Sequence, residues 1–297
     1  MEKVSIIIPT FKNRGGLQNS VESALQQDYD NLEVIVVDDN APESDARKGT
    51  EVVMSNFAGD ERVVYLRHLQ NKNGAAARNT GIYSAKGDYI AMLDDDDRFL
   101  DGKITQQVRY LEEHPEFDAV YCLAERNGKR YGSDISEGDC TRKMLMLQTC
   151  IYTPCQMFRR EALLKINGYD ESFRRHQDFD LLLRFFHAGF KIGCLKEVLT
   201  EIGTNDGENI PSGKRVEEMK HYFFKKFMPY IDEIEKTEKG FRNRVLAKHY
   251  AGVLLNHVKH LNLVMAVKIF NRYFWKSPIT FTKVIAGSAI VHLKGEA

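Results

Sequence analysis

The chain has 297 residues, 43% hydrophobic and 28% charged, and its 42 basic and 42 acidic side chains cancel to a formal net charge of zero. This length and composition exclude a disordered chain and allow one large α/β domain, or one such domain with a smaller appendage. The charge balance leaves no electrostatic footprint for nucleic acid, so no nucleic-acid partner is expected and other partners must be argued from sites.

The first strand-like run, Val4 to Ile8, lacks the basic, apolar and small-residue sections of a signal peptide. A helical pattern follows at Leu17–Gln26, then a strand at Glu33–Val37, a helix at Asp45–Phe57, a strand at Val63–Leu66, a helix at Ala75–Ala85 and a strand at Asp88–Leu93. Nearly continuous apolar strands alternating with helices predict an α/β fold around a mostly parallel sheet, joined by right-handed crossovers. Beyond a helix at Lys103–His114 the pattern is less regular, with strands expected at Ala119–Ala124 and Ile151–Phe158 and a helix at Arg160–Ile166. Residues Gly203 to Gly213 carry turn chemistry throughout and are expected to form a mobile loop. Helices then follow at Arg215–Ile234, Phe241–His260 and Leu263–Trp275, with a last one after Pro278.

The pattern divides the chain into residues 1–213, with halves at about 1–100 and 101–213, and a helical extension over 214–297. The longest apolar candidate, near Val284–Leu293, is shorter than the roughly 18 residues that span a bilayer and contains Ser288 and His292, so no integral membrane protein is expected. Five cysteines without a CxxC pair suit a reducing compartment, and a cytoplasmic location is expected.

In doubly wound sheets, ligands lie beyond the carboxyl ends of the strands. There the second run ends in Asp38-Asp39-Asn40 and the fourth in Asp94-Asp95-Asp96-Asp97. Four successive carboxylates repel one another and need a cation or several hydrogen-bond donors. Hard ions such as Mg²⁺ or Mn²⁺ take oxygen ligands, and Mg²⁺ commonly keeps one or two protein carboxylates together with water and substrate phosphates. The bland alternative is a solvated acidic turn. No GxGxxG or GxxxxGK[ST] segment occurs, which removes the main support for dinucleotide-binding and P-loop readings.

Four segments, Val4-Ser-Ile-Ile-Ile-Pro-Thr-Phe11, Glu33-Val-Ile-Val-Val-Asp-Asp39, Asn73-Gly-Ala-Ala-Ala-Arg-Asn-Thr-Gly81 and Leu93-Asp-Asp-Asp-Asp97, together resemble family 2 glycosyltransferases of the GT-A fold. The resemblance continues through Gly168-Tyr-Asp-Glu-Ser-Phe173 and Gln177-Asp-Phe-Asp-Leu-Leu-Leu-Arg184, so it covers about residues 4 to 200 in the family's order. It implies an inverting, metal-dependent transfer from a nucleotide-diphosphate sugar to a saccharide or lipid-linked saccharide acceptor, of the bacterial surface-polysaccharide type. By the same resemblance Thr10 and Phe11 line a base pocket, and Asp39 accepts the imide N–H of uracil, which makes a UDP-sugar the leading donor. Asp38 stays open as a structural strand-end residue. Arg78 is assigned to the donor, against the alternative of an ordinary surface ion pair. The family's D-x-D pattern maps onto Asp94, Asp95 and Asp96, with Asp96 the direct metal ligand and Asp94 on the ribose or a metal-bound water.

The base that takes the acceptor proton maps to Asp178, usually preceded by Glu in the family but here by Gln177. The alternative for Asp178 is a helix N-cap. Asp180 and Arg184 are expected to form an i, i+4 pair that supports the helix. The Gly203–Gly213 loop, with Lys214 and Arg215 after it, stands where the family carries a flexible lid, or is simply a solvent-exposed linker. From Lys259 onward, six basic residues face only Glu296 and are interleaved with aromatics such as Phe270, Tyr273, Phe274, Trp275 and Phe281. Either that tail makes peripheral contact with a membrane, or its aromatics form the core of the helical appendage. Two rivals remain at this point: a noncatalytic sugar-nucleotide-binding scaffold and a metal-dependent nucleotidyltransferase.

Overall fold

A computed structural model describes residues 1–12, 15–131, 135–173, 176–203 and 214–293. The first half alternates as expected: β1 (Val4–Thr10), α1 (Leu17–Leu25), β2 (Leu32–Asp38), α2 (Asp45–Ser55), β3 (Val63–Arg67), α3 (Gly74–Ser84) and β4 (Tyr89–Met92). Next come β5 (Arg98–Phe99), α4 (Lys103–Glu113), β6 (Ala119–Arg126), β7 (Lys129–Tyr131), α5 (Thr141–Leu145), β8 (Gln156–Arg159), α6 (Arg160–Lys165), α7 (Gln177–His187) and β9 (Ile192–Glu201). The remaining elements are helices: α8 (Lys214–Thr237), α9 (Phe241–Lys259), α10 (Leu263–Tyr273) and α11 (Pro278–Leu293).

The strands form one nine-stranded sheet in the order β3-β2-β1-β4-β8-β6-β9-β5, with β7 paired to β6. Strands β3, β2, β1 and β4 are mutually parallel, β8 enters antiparallel between β4 and β6, and β6 pairs in parallel with β9. The chain steps outward from β1 to β3 and then returns to place β4 on the other side of β1. That reversal opens a crevice at the carboxyl ends of β1, β2 and β4, where the acidic segments emerge. The strands are buried on both faces: Ile6, Ile7, Ile8, Val34, Val36 and Ala91 are fully inaccessible. Each isoleucine or valine buried in this way stabilises the fold by about 1.5–3 kcal/mol.

One expectation is corrected in the second half. Ile151–Phe158 is not a continuous strand: Thr153–Cys155 forms a 3₁₀ turn and only Gln156–Arg159 pairs in the sheet. Pro154 explains the break, because it has no N–H to give to a ladder and its fixed φ suits the first turn of a helix. The segment 204–213, expected to be a mobile loop, lies outside the described residues.

By compactness the chain separates into two units, Met1–Thr141 with Thr149–Thr204, and Arg142–Gln148 with Asn205–Ala297. The second has its own small core, in which Ala247, Ala251, Val253, Ala266, Ile269 and Phe281 pack together. Within it Tyr250 and Tyr273 stack with ring centroids 3.6 Å apart. Among the described residues no helix is long and apolar enough to cross a membrane. None of the five cysteines forms a disulfide, and Cys150 alone among them is exposed.

Candidate active site

The crevice is built from strand ends and from the two loops that approach them. At the end of β2, Asp38 is fully buried and stands 2.8 Å from Arg47 Nε, while Tyr65 donates to it at 2.6 Å and the Asn40 backbone at 2.9 Å. Protein donors engage both carboxylate oxygens of Asp38, so it is a structural residue. Losing one partner of such a buried pair typically costs about 3–5 kcal/mol.

Asp39 is 2% exposed and accepts four hydrogen bonds. His68 Nδ1 at 2.7 Å and the Lys72 backbone at 2.8 Å share Oδ1, while the Asn71 amide at 2.7 Å and the Asn73 backbone at 2.9 Å share Oδ2. This carboxylate therefore organises the loop that leads into α3. Asn73 then caps α3, its side chain accepting from Ala75 N at 2.9 Å. Beside this loop, Phe11 is exposed at the end of β1, and the Lys12 backbone is tied to Asn40 at 2.8 Å.

The four aspartates after β4 do not act as one group. Asp94 pairs with Arg78 Nη2 at 2.5 Å, Asp95 accepts from Thr10 Oγ1 at 2.6 Å, and Asp97 accepts from the Gly203 backbone at 2.7 Å. The sequence called for a cation or several hydrogen-bond donors, and protein donors engage Asp94, Asp95 and Asp97. Repulsion nonetheless persists. Burial, then Asp94 and Asp96, push Asp95 up to about 6 against the Thr10 bond. Burial and Asp94 push Asp97 up to about 8. Asp94, Asp95 and Asp96 remain partly exposed at the mouth of the crevice, whereas Asp97 is buried beneath them. Gly203 can approach only because it lacks a side chain, since a Cβ there would lie 2.1 Å from the Asp96 carbonyl oxygen.

Arg78 links this strand end to a distant part of the chain. Its Nη1 reaches Gln177 Oε1 at 3.4 Å, and its guanidinium lies 5.6 Å from the centre of the Tyr169 ring. Burial works against its charge, but Asp94, with Tyr169 and Asp178 nearby, more than offsets this and raises its pKa. A surface ion pair is thereby excluded. Gln177 opens α7, and Asp178 sits inside the first turn of that helix. The N-cap is His176, in the left-handed region at φ 54° with no side-chain cap bond, so Asp178 is not an N-cap. Its carboxylate is half-buried and favoured by the helix dipole. As expected, Arg184 pairs with Asp180 one turn on, at 2.8 Å, and it also holds the Ile166 and Gly168 carbonyls.

Two residues that sequence reasoning did not single out hold this junction together. Asn79 clamps Tyr169 by both backbone groups, accepting from its N–H at 2.7 Å and donating to its C=O at 2.9 Å, and also donates to Glu171 at 2.8 Å. Gly168 makes the clamp possible: it adopts φ +58°, and a Cβ there would lie 2.4 Å from Asn79 Oδ1. The signal was present in Arg78-Asn79 and in Gly168-Tyr169, but nothing in the sequence says that the two segments touch. Tyr169 is buried against Arg78, and its hydroxyl and Arg78 Nε both lack a hydrogen-bond partner among the described residues. Unpaired polar atoms buried at one junction are what a bound ligand or water would satisfy.

Among the described residues no three His, Cys, Asp or Glu side chains converge as a ready-made metal cage. A cation here would take one or two carboxylates and complete its shell from water and phosphate, as hard octahedral ions commonly do.

A switch-point crevice with an acidic strand end on one wall and a carboxylate-bearing helix on the other is a ligand site at the strand carboxyl ends, the arrangement that the GT-A resemblance implies. The glycosyl transferase family 2 model matches residues 5–166, and the chain belongs to that family. It is 30% identical over 206 residues to the amylovoran biosynthesis glycosyltransferase AmsB of Erwinia amylovora, covering 66% of this chain and 67% of that one. It is 29% identical over 219 residues to a GalNAc(5)-diNAcBac-PP-undecaprenol beta-1,3-glucosyltransferase of Campylobacter jejuni, covering 66% and 69%. The aligned part spans 61% of one curated relative's length and 28% of another's. Among solved structures, S. aureus TarS 1-349 in complex with UDP-GlcNAc superposes with a TM-score of 0.66 at 16% identity, covering 95% of this chain and 83% of that one. At that identity the likeness concerns the fold.

Proposed function

We propose that this chain is an inverting glycosyltransferase that moves a sugar from a nucleotide-diphosphate sugar, a UDP-sugar first among them, to an acceptor hydroxyl. The observation that carries the reading is the span of Arg78, which ties Asp94 on the donor wall to Gln177, the neighbour of Asp178, on the other. Residues 1–213 are the catalytic domain, with the donor on about 1–100 and the acceptor on 101–213, and 214–297 are the helical extension.

Thr10, Phe11 and Asp39 receive the base. Because Asp39 already accepts four bonds, the imide N–H enters by replacing the Asn71 amide rather than by adding a fifth partner. Asp95 supports this wall through Thr10. The partly exposed Asp94 and Asp96 are hard oxygen donors, and the repulsion around them suits a divalent cation, Mn²⁺ or Mg²⁺, held by Asp96 with Asp94. That ion, when bound, would neutralise charge on the departing diphosphate.

Arg78 adds a fixed positive charge on the same wall, placed where the leaving group develops its negative charge. Asp178 takes the proton of the acceptor hydroxyl as the acceptor oxygen forms its bond to the anomeric carbon from the face opposite the breaking bond to phosphate, which inverts the configuration. The acceptor is a saccharide or lipid-linked saccharide, and the setting is surface polysaccharide or lipopolysaccharide synthesis. We place the protein in the cytoplasm, at the inner face of the cell membrane, with peripheral contact through the basic C-terminal tail. The cysteines without disulfides and that acid-poor tail support this placement.

The test is a panel of UDP-sugars with Mn²⁺, following UDP release with and without candidate acceptors. Acceptor-dependent UDP release that is lost in Asp178→Asn supports the reading. Full transfer by that variant, or release of pyrophosphate instead of UDP, overturns it.

A further inference from the structure

The helical unit turns an apolar edge to solvent. Leu261 is 84% exposed, and it occupies the left-handed region at φ +59° where the chain leaves α9. There it closes the helix in the double-bonded manner of a Schellman end: Leu261 N donates to Val258 O at 3.0 Å and Asn262 N to His257 O at 2.9 Å. Glycine usually fills that position, because a Cβ in this conformation is sterically costly. A leucine that is both strained and exposed gains nothing from folding.

The edge continues along α10. Leu263, Val267 and Phe270 recur at i, i+4 and i+7 on one exposed stripe with Val264 beside it, Lys268 and Arg272 flank the stripe, and Ala266 and Ile269 turn to the core. Trp275 and Ile279 extend the exposed apolar surface, each 73% accessible. From Lys259 to Leu293 there is no Asp or Glu, against five Lys or Arg. The alternative in which the tail's aromatics form the core of the appendage holds for two of them: Phe281 is fully buried and Tyr273 is stacked on Tyr250. The outward face is mostly aliphatic, with Phe270 on its stripe and Trp275 at its end.

We propose that the α9–α10 turn, the outward face of α10, Trp275 and Ile279 form a docking surface for an anionic lipid bilayer, with α10 lying in the plane of the interface. The proposal deepens the membrane placement given above and rests on it. Charge complementarity selects the occupant. An apolar stripe with a cationic flank and no acid matches a leaflet of anionic headgroups over hydrocarbon. A second copy packed face to face would bring two such flanks together and repel.

The full chain is mixed with phosphatidylglycerol/phosphatidylcholine vesicles or with phosphatidylcholine vesicles alone and separated by flotation. Binding to the anionic vesicles at least tenfold stronger than to the neutral ones, weakened by salt, is expected. Val264→Glu with Val267→Glu lowers that binding at least tenfold, while UDP release onto a water-soluble acceptor and the melting temperature stay unchanged. Undiminished binding by the double variant overturns the proposal, as does the absence of binding by the native chain. So does a native dimer that the double variant converts to monomer, since the face is then covered by a second copy. A chain that releases UDP but ignores vesicles sinks the docking surface alone, and one that floats but releases no UDP sinks the catalytic reading alone.

Discussion

Arg78 Nη2 stands 2.5 Å from Asp94 Oδ1, and the same guanidinium extends its other terminal nitrogen to Gln177, 99 residues away in sequence. One planar, permanently charged group thus spans the two walls of the crevice. By the family resemblance an acidic residue usually precedes the position of Asp178, and with the amide of Gln177 there Arg78 pairs with Asp94 and meets a neutral group on the other wall.

Arg78→Lys is expected to lower kcat/KM for transfer by about 10²-fold, because a single ammonium cannot keep both contacts and the walls lose their mutual placement. Circular dichroism checks that the fold persists, and steady-state UDP release measures the loss. Near-native kinetics in this variant would remove the bridging role.

Asp96→Ala and Asp178→Asn should separate binding from chemistry. The first is expected to abolish metal-dependent UDP binding in calorimetry. The second keeps UDP binding within about twofold and lowers transfer by about 10²–10⁴-fold, the range typical of a lost general base. Equal loss of binding in both variants would contradict the division of labour between the two walls.

Gly168→Ala tests the clamp on Tyr169. The substitution forces a side chain into φ +58° and against Asn79 Oδ1, so a loss of about 2 kcal/mol or more is expected in chemical denaturation. Transfer activity falls with it, since Tyr169 packs on Arg78.

A pH-dependent stability is expected from the helical unit. Burial pushes Lys220 down to about 8, and its ammonium lies 3.2 Å from His249 Nδ1, whose ring also bonds to the Leu145 carbonyl. Unfolded lysine titrates near 10.4. Below pH 8 both states are protonated and the full burial penalty is present; between about 8 and 10.4 the unfolded state holds more protons, so stability rises with pH. Lys220→Met is therefore expected to gain about 1–2 kcal/mol at pH 7, after the lost contact to His249, and to show no such rise. Thermal unfolding of both proteins across this range checks the sign.

Much of the first unit was legible in sequence because its information is local. Runs such as Val34–Val37 are apolar at every position, which only a strand buried on both faces requires, and their alternation with helices implies a parallel sheet. The acidic strand ends follow from the same reading. The break at Pro154 was missed because an apolar run masked a turn. The tail stayed open between a membrane-facing surface and an aromatic core of the appendage, because a mixture of basic, aromatic and aliphatic residues does not reveal which side of a helix its neighbours cover.

By itself the sequence determined the α/β class, the crevice at the ends of β1, β2 and β4, and the residue types that stand there, since hydrophobic periodicity and strand ends are properties of short segments. Only the tertiary structure decided that Asp38 is structural, that Asp94, Asp95 and Asp97 face different partners, and that Asn79 holds Tyr169 beside Arg78. Those relations join residues tens of positions apart, and their hydrogen bonds exist only once the sheet and α7 are packed.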